Sequence, residues 1–300
     1  MASSKKSIYS ALGANLLIAL TKFTAGHFSN SASMIAEGIH SLVDTTNQLL
    51  LLLGIRRSKK APDAAHPFGY GKELYFWSFI VSILIFGLGG GLSIYQGIIH
   101  MIDPEPLGNP TISYIVLSLS IVFEGASLIV AIKSFNASRG NLGWWDAVVK
   151  SKDPSSFLVL FEDAAAVAGL FIVGICIFLS HRLNLPVLDG LASLLVGLLL
   201  VAVSAILARE SRSLLMGEGI APETKASICG LVEQYPAVQK VKQILSTYQS
   251  PEEVVLMLIL VFNEQLTTSD INSAIDEIRE KVKYKYPFVR FVIIQPETSE

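Results

Sequence analysis

The sequence predicts a membrane-embedded all-α bundle of six helices followed by a small α+β domain whose elements run αββαβ. Three observations predict it. Of the 300 residues 51% are hydrophobic and only 16% charged, against roughly 25% charged in a soluble domain. The charges are unevenly spread: long stretches before Arg209 carry almost none, and the rest has ordinary soluble composition. Six windows are apolar over the ~20 residues needed to cross a hydrocarbon core of about 30 Å.

Those windows are residues 7–25, 33–53, 74–101, 112–132, 156–180 and 187–207, giving a membrane domain over 1–209. Pro67, Pro104, Pro106, Pro110, Pro154 and Pro186 fall in the gaps, as helix boundaries should. Short loops rich in Lys and Arg stay cytoplasmic. Lys5 and Lys6 precede the first span, Arg56, Arg57, Lys59, Lys60 and Lys72 follow the second, and Arg139, Lys150 and Lys152 follow the fourth. The opposite side has little more than Arg182. With an even number of spans, both termini are expected in the cytoplasm. The first span is interrupted by Asn15 and Lys22 and no small-residue cleavage site follows it, so it is expected to be retained. Gly87 and Gly91 form a GxxxG pair in the third span, read as a helix-packing surface.

Residues 210–300 form the second domain. Helices are expected over 222–234 and 269–282, the latter opened by Thr268, Ser269 and Asp270. Strands are expected over 241–247, 254–262 and 289–294, giving an open sheet with two helices on one face. The net charge of −2 gives no sign of a nucleic-acid partner. Cys176 and Cys229 form neither a CxxC pair nor a disulfide framework.

An acidic residue at mid-bilayer costs about 2.5 to 3.5 kcal/mol on insertion scales, so each one requires a function or a partner. Glu37, His40 and Asp44 fall in span two, Glu124 in span four, Glu162 and Asp163 in span five, and Asp189 at the start of span six. His40 and Asp44, four apart, share one helix face with Glu37 a turn away. An imidazole and a carboxylate presented together are half of a four-coordinate zinc-type site, which acids on another helix could complete. No basic residue is expected at mid-span to neutralise these groups, leaving a bound dication or protons to do so. Glu37 and Asp189, nearer the span ends, are read equally as caps or headgroup contacts and as metal- or proton-handling groups. His27, His100 and His181 are read as interfacial, and Asn15 and Asn47 as interhelical hydrogen bonds.

The stretch from Ser31 to Asp44 (SASMIAEGIHSLVD), the loop from His66 to Glu73 (HPFGYGKE) and the stretch from Asp189 to Gly197 (DGLASLLVG) resemble the cation diffusion facilitators, a family of zinc transporters. The resemblance covers nearly the whole chain. It implies six spans, a ferredoxin-like cytoplasmic domain, and a homodimer in the lipid bilayer exchanging a divalent metal for protons by alternating access, out of the cytoplasm. Family ligands come as two pairs, on spans two and five, each four residues apart. His40 and Asp44 fill the first; Asp163 fills one place of the second, but Val159 stands in the other. The run from Leu160 to Ala166 (LFEDAAA) is similar to a divergent branch that includes mitochondrial zinc transporter nine. Glu162 lies about 100° round the helix from Asp163 and so turns away from His40 and Asp44 unless the helix is locally distorted; water, Glu162 or Glu124 is left to complete coordination by His40, Asp44 and Asp163. A site richer in oxygen suits manganese or iron(II) better than a two-histidine site does.

Of a second family site in the loop, Asp63 and His66 survive while Tyr70 replaces a histidine, so His66 is read as structural. The resemblance also implies Lys72 at the dimer interface, with Glu218 as its candidate partner. No prosthetic group is expected; Zn2+, Mn2+ or Fe2+ is cargo and the proton the coupling ion. The rivals are a transport-inactive relative acting as a partner subunit, and an intramembrane metal-dependent hydrolase, which lacks an HExxH helix pair. The expected home is a bacterial inner membrane.

Overall fold

A computed structural model describes residues 2–104 and 109–298. Pro106, expected to mark a helix boundary, lies outside the described residues. The chain divides into two compact units, one running from the N-terminus to Ile55 and from Phe76 to Ser211, the other combining Arg56–Tyr75 with the chain after Arg212.

The first unit is built of long helices: α1 (Ala2–Ser29), α2 (Ala32–Ser58), α3 (Glu73–Leu84) continued through a π-helical stretch (Ile85–Gly91) into α4 (Leu92–Ile102), α5 (Thr111–Arg139), a short α6 (Trp144–Lys150), α7 (Pro154–Leu183) and α8 (Val187–Met216). Among the described residues four helices are both long and apolar enough to cross a membrane: Glu73–Ile102, Thr111–Arg139, Pro154–Leu183 and Val187–Met216. The helices α1 and α2 are comparably long at 28 and 27 residues. They stand outside that group, and α2 buries several polar side chains, among them Glu37, His40 and Asn47.

Local chemistry sets the helix ends. Asp153 caps α7 by accepting from the Ser155 amide at 3.0 Å, with Pro154 in the first turn where a missing N–H costs nothing. Asn184, in the left-handed region at φ 54°, stops it. Where α4 meets α8 the backbones touch. A Cβ placed on Gly97 would lie 2.7 Å from the Gly190 carbonyl, and one on Gly197 would lie 2.9 Å from the Gly90 carbonyl. This corrects the packing surface expected at Gly87 and Gly91. Among the described residues nothing lies within 4 Å of a Cβ on Gly87, and one on Gly91 would meet only the Phe86 carbonyl of its own segment. The close contact falls instead on Gly90, inside the π-helical stretch, and on Gly97.

The second unit contains α9 (Pro222–Val232), β1 (Val238–Ser250), β2 (Glu253–Phe262), α10 (Thr268–Lys285) and β3 (Val289–Glu297), in the order read from the sequence. The sheet order is β1-β2-β3, with β2 antiparallel to β1 and parallel to β3. Central β2 buries alternate residues Val254, Leu256, Leu258 and Leu260 completely, packed with Ile228 and Val232 of α9 and Ala274, Ile278 and Val282 of α10. This is the period-two pattern of a strand with one face on a core. The cap of α10 is Thr267, one residue before the expected region. Its hydroxyl accepts from the Asp270 amide while the Asp270 carboxylate accepts from the Thr267 amide.

Candidate metal centre

Helices α2, α5 and α7 bring four of the predicted acids, Asp44, Glu124, Glu162 and Asp163, to one cavity of about 310 Å³, which Asn15 of α1, Gln48, Ser127 and Val159 also line. His40 Nε2 stands 3.3 Å from Asp44 Oδ2, one helical turn away. Neither ring nitrogen of His40, nor Asp44 Oδ1, has a hydrogen-bond partner among the described residues. Buried polar atoms are almost always partnered. These three atoms, on the pair expected as ligands, are therefore buried polar atoms left without a hydrogen bond.

On α7, Glu162 and Asp163 both face the cavity despite their ~100° separation. Each is held by a different neighbour. Glu162 Oε1 accepts from Asn47 Nδ2 of α2 at 2.8 Å, and Asp163 Oδ2 accepts from Ser127 Oγ of α5 at 2.7 Å. Glu162 is buried and Asp163 half-buried. Val159 lines the same cavity, where the second α7 ligand would be expected. As the side chains stand, no three His, Cys, Asp or Glu among the described residues are grouped closely enough to hold one ion.

One expectation is corrected outright: a basic residue does neutralise two of the buried acids, Glu37 and Glu124. Lys22 of α1 is fully buried and donates to Glu37 Oε2 at 2.9 Å, Ser41 Oγ at 2.8 Å and Glu124 Oε1 at 2.7 Å. Glu37, read as a possible cap or headgroup contact, is fully buried and ion-paired instead. The insertion cost that singled out the acids applies equally to a lysine inside a span. Applied to Lys22, it would have signalled a buried partner.

Asp189 and His100 belong to a separate cluster. The Asp189 carboxylate accepts from the Ser31 hydroxyl at 2.7 Å, the Ser33 amide at 3.3 Å and the Ser33 hydroxyl. It also lies 3.7 Å from His100 Nε2. His100 is buried rather than interfacial, because α4 packs its end onto the start of α8 through Gly97 and Gly190.

In the loop of the second unit, Asp63 is exposed and accepts from the Tyr70 phenol at 2.7 Å and from the amides of His66 and Ala65 at 2.7 and 3.0 Å. The phenol first, then the His66 amide, holds the Asp63 carboxyl below its usual range. The His66 ring packs against Tyr70 at 4.1 Å between centroids. Asp63 thus serves as the acceptor of a tight turn. Lys72 Nζ lies 3.7 Å from where a Cβ on Gly217 would stand, and Glu218 Oε2 accepts from Ser213 Oγ at 3.4 Å.

Comparison with known proteins matches residues 8–216 to the cation efflux transmembrane domain and residues 220–299 to the cation efflux protein cytoplasmic domain. The proton-coupled zinc antiporter SLC30A9, mitochondrial, of Xenopus laevis is 38% identical over 86% of this chain and 48% of its own length. Its Homo sapiens counterpart is 36% identical over 92% of this chain and 50% of its own. Metal tolerance protein C4 of Arabidopsis thaliana is 32% identical over 89% and 59%. The chain thus spans about half the length of the SLC30A9 relatives. Their mitochondrial names and the plant relative give no support to a bacterial inner membrane. With both domain matches in order and together covering nearly all of its length, this multi-pass membrane chain belongs to the cation efflux family.

Proposed function

We propose that the chain is a proton-coupled transporter of a divalent cation, zinc first and manganese or iron(II) as alternatives, working as a homodimer with six spanning helices. Both termini face the cytoplasm and metal leaves it. The single observation that supports this reading most directly is the cavity on which Asp44, Glu124, Glu162 and Asp163 converge from three helices, with His40, whose ring nitrogens make no hydrogen bond among the described residues, one turn from Asp44. Carboxylates and a neutral imidazole bind a dication when deprotonated and surrender it when protonated, so metal and proton gradients become linked. Asn47 and Ser127 hold Glu162 and Asp163 by one oxygen each, leaving the other to face cargo or receive a proton. Family membership and the antiporter names of the relatives set a hydrolase aside.

In purified proteoliposomes, an imposed pH gradient is expected to drive zinc flux in the intact protein. Asp44→Ala and Asp163→Ala should abolish it, and Glu162→Ala and Glu124→Ala assign the further ligand. Flux that persists unchanged in both aspartate variants removes this site from the mechanism. A second reading, a transport-inactive partner subunit, draws on Val159 standing where a ligand is expected. Absence of flux in the intact protein, with metal binding retained, would favour it.

A further inference from the structure

Three donors are all that a lysine ammonium has, and at Lys22 three acceptors take them at 2.7 to 2.9 Å on two other helices. The charge is therefore fully accommodated inside the protein. Its two carboxylate anchors differ. Glu37 points its second oxygen at α7, where a Cβ on Gly169 would lie 2.8 Å from Oε1, so it is wedged against a helix backbone. Glu124 instead lines the cavity; the second oxygen of each, Glu37 Oε1 and Glu124 Oε2, is buried without a hydrogen-bond partner among the described residues. Glu124 is thus the carboxylate that both touches Lys22 and faces the space shared with Asp44, Glu162 and Asp163, beside the Ser41 hydroxyl.

We propose that Lys22 is a resident cation of this site that competes with the transported dication for Glu124 and so sets the affinity for cargo. The inference rests on the transporter reading above. A dication entering the cavity attracts Glu124 and repels the ammonium across a few ångströms of low-dielectric interior. Binding becomes an exchange in which Lys22 retreats onto Glu37 and Ser41 as Glu124 turns to cargo, and release is the reverse. A site of this design binds cargo less tightly than its carboxylates alone would, which favours letting go after translocation. Lys22 is in this sense an affinity-setting residue and not a ligand.

Two double variants with the same net charge test it. Lys22→Met with Glu37→Gln removes the resident cation and leaves Glu124 free; Lys22→Met with Glu124→Gln removes the contested carboxylate as well. The first is expected to lower both the dissociation constant for zinc, by calorimetry on the purified protein, and the half-saturating zinc concentration for flux at least tenfold, with slower turnover. The second should bind zinc no tighter than the unmodified protein. Equal changes in both variants, or none in either, would make Lys22 a strut between helices and overturn the proposal. Should the doubles fail to assemble, Glu37→Gln alone decides. Leaving Glu124 as the sole carboxylate of Lys22, it should raise the dissociation constant for zinc at least threefold, whereas a strut missing one anchor would lose thermal stability at unchanged affinity. A failure of the transporter reading registers differently, as absent pH-driven flux in the intact protein, and the binding comparison still stands.

Discussion

The contact between α4 and α8 admits a test whose size follows from the geometry. A Cβ on Gly97 would lie 2.6 Å from the Leu194 amide nitrogen, 2.7 Å from the Gly190 carbonyl and 3.0 Å from the Leu194 Cα. All three are backbone atoms, which cannot rotate away. Gly87, in the same continuous span, has nothing within 4 Å of its would-be Cβ among the described residues. Replacing either glycine with alanine brings the same helix-propensity gain, about 1 kcal/mol. The difference between the two variants is therefore the steric cost by itself, about 1 to 3 kcal/mol for overpacking. Gly87→Ala should raise the thermal midpoint of the detergent-solubilised protein, and Gly97→Ala should lower it or leave it below that of Gly87→Ala by this margin. Because Gly97 packs where α4 delivers His100 to Asp189, Gly97→Ala should also slow flux. Equal midpoint shifts in the two variants would refute a backbone contact at Gly97.

Val159→His places an imidazole on the cavity wall four residues before Asp163 and should shift preference towards zinc over manganese at least tenfold in competition flux assays. Unchanged selectivity would mean that position 159 does not reach the ion. Thr267→Ala removes one half of the capping box on α10 and should cost about 1 kcal/mol, read as faster amide hydrogen exchange in the first turn of that helix. The Asp63 carboxyl lies below its usual range, so its stabilising bond to Tyr70 is present above the ordinary carboxyl pKa and lost only as pH falls through the lowered value. Tyr70→Phe should move the Asp63 titration, followed by carbon-13 NMR, upward towards about 3.9.

The sheet domain was readable because each strand and helix carries its own period. In β2 the run from Val254 to Leu260 alternates so strictly that strand and buried face follow together. The long helices were readable from hydropathy, although their ends extend beyond the apolar windows, to Ser58 in α2 and Met216 in α8. Charged residues there lie past the reach of a hydropathy window. The short α6, with Trp144 and Trp145 both exposed, gave no periodic signal because seven residues make barely two turns.

The candidate site divides along the same line. Asp44 and His40 share a face because they are four apart on one helix, and spacing alone determines that. Whether Glu162 turns inward, which acid is already neutralised and which glycine touches another helix all depend on the rotation of one helix against its neighbour. No local pattern encodes that rotation. The tertiary packing placed Asn47 against Glu162, His100 against Asp189 and Lys22 between Glu37 and Glu124. The sequence by itself determined that buried acids needed partners, since the cost of charge in a membrane depends only on composition and position in a span. Only the folded bundle decided that two of them had found one in a lysine, because an ion pair between residues 102 positions apart exists solely where helices meet.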